Sequence, residues 1–221
     1  MIRIWGRPTS ICTQRVLWAC VEAGVEFELT LASGTMGPEG HVSTGAEPFG
    51  SVDDGWYREM NPNGTVPVID DTGCVLWESN AIVTYIALEY GEGTLLDGGP
   101  AALARAVQWM SWTNEHLEPH LHTLVMELSR LRSDLRTPGA GVEAGRRMAP
   151  ALELLDAHLA RSPFLAGERF SMGDIPAGAA AHRFKVFAQP GPDAPHLDAW
   201  LARLGEREGF RRHVAPADLH V

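Results

Sequence analysis

The sequence predicts an α/β unit followed by an all-α unit, and three observations carry that division. Short β-prone stretches alternate with helical patterns up to about Tyr90. A Gly-rich stretch follows at 91–100, and after it strand signals stop. From Leu103 onward, apolar residues recur at helical spacing. The expected organisation is residues 1–88 as an α/β domain, 89–100 as a linker and 101–221 as a helical domain.

Residues 1–5 are apolar and β-prone, and Gly6-Arg7-Pro8-Thr9 ends the stretch. Ser10 is placed to cap a helix on which Val16, Leu17, Cys20 and Val21 recur at helical spacing; Gly24 ends it. Phe27, Leu29 and Leu31 alternate with Glu26, Glu28 and Thr30, which predicts a second strand with one wet face. A strand-helix-strand unit needs a crossover, so the two strands should be parallel. Residues 32–60 are rich in Gly and Pro, a loop of a length associated with function or mobility, with a short helix expected at 53–60.

Asn63-Gly64 marks a turn. Val66, Val68 and Ile69 surround Pro67, which cannot donate to a ladder and belongs at a strand start or edge. The Val66-Pro67 bond is a candidate for the cis isomer. Asp70-Asp71-Thr72-Gly73 should close a hairpin onto Cys74-Val75-Leu76-Trp77, and Glu78-Ser79-Asn80 opens a helix. In the second half Leu103, Ala106, Val107, Met110, Asn114, Leu117, Leu121, Leu124, Val125 and Leu128 trace one helical face, kinked at Pro119. Met148, Leu152, Leu155 and Leu159 mark another helix after a loop at 136–141. Ser171 and Asp174 have capping-box spacing, with Phe170 and Ile175 as a hydrophobic staple. The small residues 177–181 then predict a tightly packed helix, and Leu197, Trp200, Leu201 and Leu204 a last long one.

Composition narrows the function classes. The 221 residues carry 45% hydrophobic side chains and a net charge of −10, the profile of a globular protein rather than of a nucleic-acid binder. No apolar run is long enough to span a bilayer, and no signal-peptide pattern precedes the first strand, so neither a membrane nor nucleic acid is expected as a partner. Cys12, Cys20 and Cys74 have spacings of neither a disulfide framework nor a zinc site, and a reducing cytoplasm is the expected setting.

The chemistry gathers in the stretch 61–80. Backbone groups of Val66 beside Pro67 are free to pair with an extended peptide. The helix opening at Ser79 offers N–H groups to an anion, and Glu78 can take a cation. A ligand with a peptide-like middle and a zwitterionic amino-acid end fits; an ordinary hairpin and helix cap is the alternative.

Four motifs together resemble the glutathione S-transferase family over nearly the whole length: Ile4-Trp5-Gly6 with Ser10 and Arg15-Val16-Leu17; residues 61–67; Glu78-Ser79-Asn80-Ala81-Ile82; and Phe170-Ser-Met-Gly-Asp-Ile-Pro176. The order of elements in the first half resembles the thioredoxin fold. The chain is most similar to bacterial serine-type enzymes near the theta and phi groups, and Ser10-Ile-Cys-Thr-Gln-Arg15 is similar to the zeta-group motif. The resemblance implies a homodimeric enzyme that uses glutathione as co-substrate, without a metal, against a small apolar electrophile in detoxification. It implies that Ser10 donates a hydrogen bond to the glutathione sulfur. Val66, beside a cis Pro67, would pair with the cysteinyl unit, and Glu78 and Ser79 would hold the γ-glutamyl end. Thr65 stands where related groups often carry Gln, and Cys12 where many carry Asn. His41 and Arg58 are candidates for the glycyl carboxylate.

Two rival readings start from the same residues. Cys12, in the first turn after Ser10, could have a lowered pKa and run a glutathione thiol-disulfide or peroxidase reaction. A non-catalytic glutathione-binding protein is the other. The resemblance implies that the first helix of the second half lines the electrophile pocket and the subunit interface, so Trp109, Trp112 and His116 are candidates for the pocket and the two tryptophans also for the interface, with core packing as the alternative for the tryptophans. His116 and His120 lie one helical turn apart, but Pro119 and the absence of a zincin motif speak against a metal.

Overall fold

The computed structural model describes residues 1–33, 52–187 and 191–216. Four strands, β1 (Ile2–Gly6), β2 (Phe27–Leu31), β3 (Val68–Asp71) and β4 (Cys74–Trp77), form one mixed sheet in the order β2-β1-β3-β4. β1 and β2 run parallel, as their crossover demands, and both β1–β3 and β3–β4 are antiparallel. β3 is thus paired on both sides from Val68 onward, and it is Val66, before the strand, that lies outside the ladder. The Val66-Pro67 bond is cis. The β3–β4 turn is made by Thr72 and Gly73, both at positive φ (51° and 100°), as a two-residue hairpin of right-handed twist requires. Asp70 Oδ1 accepts from the Gly73 N–H at 2.8 Å and fixes the turn.

Helix α1 (Ile11–Glu22) is buried from Thr13 to Cys20, a wider face than the Val16, Leu17, Cys20 and Val21 stripe. The reason is its position. It packs on α3 (Ser79–Glu89) on one side and on α7 (Asp174–Phe187) and α9 (Glu208–His213) on the other. Trp18 is fully buried, stacked on Phe170 at 5.6 Å and edge-on to Phe210 at 5.2 Å. A Cβ on Gly209 would meet the Trp18 ring at 2.4 Å, so α9 approaches this closely only with glycine there. α1 is the shared wall of the two halves.

The remaining helices are α2 (Gly55–Met60), α4 (Pro100–His116), α5 (Glu118–Val125), α6 (Ala140–Leu159) and α8 (Pro195–Gly205). The expected kinked helix is broken at Leu117, because Pro119 lacks an N–H and fits the first turn of a new helix. Val107 and Leu128, assigned to its inner face, are exposed, and so is Asn114. A π-helical turn (Met126–Arg130) follows α5. The final long helix ends at Gly205, and α9, which periodicity did not mark, follows it. The capping box at Ser171 and Asp174 is formed: Asp174 Oδ2 accepts from the Ser171 N–H at 3.0 Å. Among the described residues, no helix is long and apolar enough to cross a membrane.

Candidate active site

The first joint is the turn from β1 into α1. A Cβ on Gly6 would lie 2.6 Å from the Thr13 side chain, so strand end and helix are in direct contact. Ser10 N–H donates to Arg7 O at 2.9 Å, and Ser10 takes the N-cap of α1, its Oγ accepting from the Thr13 N–H at 3.4 Å. A hydroxyl has one donor and two acceptor positions. With Oγ accepting within the helix, its hydrogen can be directed into the cleft that Ser10 lines.

The second joint is the turn 61–67. Asn61, fully buried, donates through Nδ2 to Thr65 O (2.8 Å) and Thr65 Oγ1 (3.1 Å), and its Oδ1 accepts from the Asn63 N–H at 3.0 Å. The Tyr57 hydroxyl from α2 also donates to Thr65 O, at 2.9 Å. Gly64, at φ +61°, lies against the Arg58 guanidinium. Arg58 is spent on this turn, bonding Asp53 and Pro62 O, and does not line the cleft. Its candidacy for the glycyl carboxylate is therefore not supported. His41 lies outside the described residues, as does most of the 32–60 segment.

The third joint is the start of α3. Val68 pairs with Trp77, so Glu78, the next residue, is brought beside Pro67. Glu78 is the N-cap of α3 and adopts φ 69°, an uncommon conformation for a residue with a side chain. Its side chain makes no capping hydrogen bond, and it faces the cleft together with buried Ser79. Strain of this kind is more often retained where a function needs the geometry.

These joints meet in one cleft of about 380 Å³. Ser10, Cys12, Thr65, Val66, Pro67, Glu78 and Ser79 all line it. The opposite wall is Leu121, His122, Val125 and Met126 from α5 and the π-turn, joined by Arg130 and by Arg183 of α7. Trp109, Trp112 and His116 are not part of it. Trp109 is buried against Trp112 and His158, with ring centroids 5.4 and 4.6 Å apart, while exposed His116 rests on Trp112. The resemblance implied that the first helix of the second half lines the pocket, but the cleft is formed one helix later, by α5. Among the described residues, no three His, Cys, Asp or Glu side chains gather as metal ligands.

Four residues missed by the sequence reading shape the site. Arg15, almost fully buried on α1, pairs with Glu118 at the cleft rim. Arg130 Nη2 and Arg183 Nη2 both donate to Thr9 O, at 3.0 and 3.2 Å, and Arg183 also donates to Gln14 Oε1 at 2.7 Å. Arg7, from the β1–α1 turn, is buried in the same wall. An arginine within the small-residue helix at 177–183 was the available signal, because a buried guanidinium must find acceptors.

Cys12 does not have the expected lowered pKa. Burial pushes its thiol above the ordinary value; nearby Arg15 and a hydrogen bond from Ser79 oppose this without overcoming it. A thiol held protonated is a poor redox nucleophile. Cys12 nonetheless lines the cleft and is only half-buried.

Two family models match the chain in order: the glutathione S-transferase N-terminal domain over residues 9–89 and the C-terminal domain over 100–203. Glutathione S-transferase GstB of Escherichia coli is 34% identical, with 97% of this chain and 98% of that protein covered. Glutathione S-transferase 3 of Zea mays is 30% identical, covering 99% and 95%. A theta class glutathione S-transferase from Xanthomonas axonopodis pv. citri, solved with glutathione bound, superposes with a TM-score of 0.86 at 35% identity over 97% of both chains. Glutathione transferase F7 of Populus trichocarpa shares the fold, with a TM-score of 0.79 at 20% identity. With both halves matched in sequence and in structure along almost the full length, the chain belongs to the glutathione S-transferase family.

Proposed function

We propose that the protein binds glutathione across its N-terminal half and uses Ser10 to hold the cysteinyl sulfur as a thiolate. The thiolate then attacks a small electrophile lodged against α5 and the π-turn. The observation that carries this reading is the convergence of Ser10, Val66-Pro67 and Glu78-Ser79 in one cleft. Each supplies what one part of the tripeptide needs. Ser10 offers a hydrogen-bond donor at the positive end of a 12-residue helix, which favours negative charge on sulfur. Val66 offers backbone groups outside the ladder to the cysteinyl unit. The α3 N-terminus suits the γ-glutamyl carboxylate, and Glu78 the ammonium beside it. Thr65, its hydroxyl already bonded to Asn61, stiffens the turn that presents Val66. The boundaries that suit this division of labour are residues 1–88 for glutathione, 89–100 as connection and 101–221 for the electrophile.

The test of the binding half is Glu78→Ala. Glutathione should bind about tenfold more weakly, the value of one charge-assisted contact at a partly solvated site. An unaltered dissociation constant from calorimetry would take Glu78 out of the site.

We also infer a homodimer in a reducing cytoplasm. Exposed Val75 and Trp77 on edge strand β4, Tyr90 just after α3 and Val107 on α4 are the apolar surface that supports a second copy. Three free cysteines suit the compartment. Sedimentation equilibrium should return twice the chain mass, and a monomer at micromolar concentration would refute the assembly.

A further inference from the structure

We propose that Tyr57 of α2 is a positioning residue for glutathione: together with Asn61, its hydroxyl fixes the Thr65–Val66 peptide so that the Val66 N–H is aimed into the cleft. The proposal rests on the glutathione reading above and extends it to a residue that does not itself line the cleft.

Val66 meets its ligand through backbone groups, and a backbone N–H points wherever its peptide plane points. Nothing on the N–H side holds that plane. The Val66 N–H lies outside the ladder and has no hydrogen-bond partner among the described residues. The plane must therefore be set from its other side, through the Thr65 carbonyl. Among the described residues the only cis bond is Val66-Pro67, so the Thr65–Val66 peptide is trans. In a trans peptide the C=O and the next N–H point in opposite directions.

A carbonyl oxygen has two lone pairs, and here both are taken. The Tyr57 hydroxyl donates to Thr65 O at 2.9 Å and Asn61 Nδ2 at 2.8 Å. One donor would leave the plane free to rock about a single bond, whereas two converging donors fix it. Thr65, Val66 and Pro67 line the cleft, but Tyr57 and Asn61 do not. The carbonyl is thus drawn to the protein side, and the N–H opposite it faces the cleft.

The two donors differ in what anchors them. Asn61 belongs to the turn that it braces, and its Oδ1 also accepts from the Asn63 N–H at 3.0 Å. Tyr57 ties the turn to the body of the domain. It is fully buried in a cluster with Ala32, Val52 and Val68, against which the Val66 side chain packs. Ala32 follows β2 and Val68 opens β3, so the hydroxyl has a fixed place relative to the sheet. Burial raises the phenol above its ordinary pKa, which keeps the donor protonated at neutral pH.

Tyr57→Phe keeps the ring and removes the donor. It should raise KM for glutathione about fivefold, the loss of one backbone hydrogen bond. At saturating glutathione, kcat and the KM for an aryl halide should stay as in the wild type. Amide NMR reads the aim directly. In 15N-labelled wild type, saturating S-methylglutathione should move the amide protons of Val66 and of Ser79, at the start of α3, downfield. In Tyr57→Phe the Val66 response should shrink while that of Ser79 remains whole. An undiminished Val66 response with unchanged KM would overturn the role of the hydroxyl. So would loss of both responses together, which would mean a loosened domain instead of a misaimed peptide. A wild type in which neither amide responds would overturn the glutathione reading, and this proposal with it.

Discussion

Replacing Ser10 with alanine is expected to cut glutathione conjugation of a generic aryl halide by about 10²-fold, the scale found when one donor to a developing or stabilised anion is removed. Glutathione should still bind, since its backbone contacts at Val66 and its γ-glutamyl contacts at the start of α3 are untouched. The effect has a direction in pH as well. A free thiol titrates near 8.5. Donation from Ser10 and the α1 dipole hold the bound thiol below that, so the variant's rate should rise with pH over a range shifted upward. A fall in rate with no shift in the pH profile would mean that the loss came from a disturbed helix start. Ser10 is also the N-cap of α1, and removal of the cap acceptor should cost about 1 kcal/mol of stability. That loss is visible in thermal unfolding and separable from the pH profile. Unchanged turnover would sink the role of Ser10 outright.

What could be read in the sequence was what lies at a joint of the chain. Ser10 precedes a helical pattern, Pro67 interrupts a β-prone run, and Thr72-Gly73 and Glu78-Ser79 punctuate strand and helix. Turn and cap chemistry is local, so position in the chain exposes it. The other wall of the cleft is assembled by packing. Arg7, Arg130 and Arg183 are brought together around Thr9 by three elements far apart in sequence, and no spacing rule links their numbers. For the same reason the place of Trp109, Trp112 and His116 on α4 did not show which neighbours they meet. Trp109 meets Trp112 and His158, and the cleft opens on α5. The breadth of burial on α1 was hidden likewise, because amphipathic patterning describes a helix with one wet side and α1 has almost none.

The largest loss of stability should follow Asp174→Ala. Asp174 is fully buried, and its oxygens accept from Leu165 N–H (2.9 Å), Ser171 N–H (3.0 Å) and Trp200 Nε1 (3.1 Å). Alanine would strand three donors in the core, and the expected cost is about 3–5 kcal/mol in denaturant unfolding. A loss within experimental error of zero would show that water replaces the carboxylate. Burial of this acid also leaves a pH signature. Its pKa is pushed up to about 6, while the unfolded chain releases the same proton near 3.9. Its contribution is therefore fully present below the unfolded pKa and is lost as pH rises from about 4 through 6. Asp174→Asn keeps an oxygen acceptor but cannot titrate, so the difference in stability between wild type and variant should vary with pH across that interval. Function depends on the same anchor. Asp174 starts α7, the helix that carries Arg183 to Thr9 and Gln14 at the entry to α1. A variant that loosens α7 should therefore lose conjugation activity at temperatures where the fold as a whole still persists.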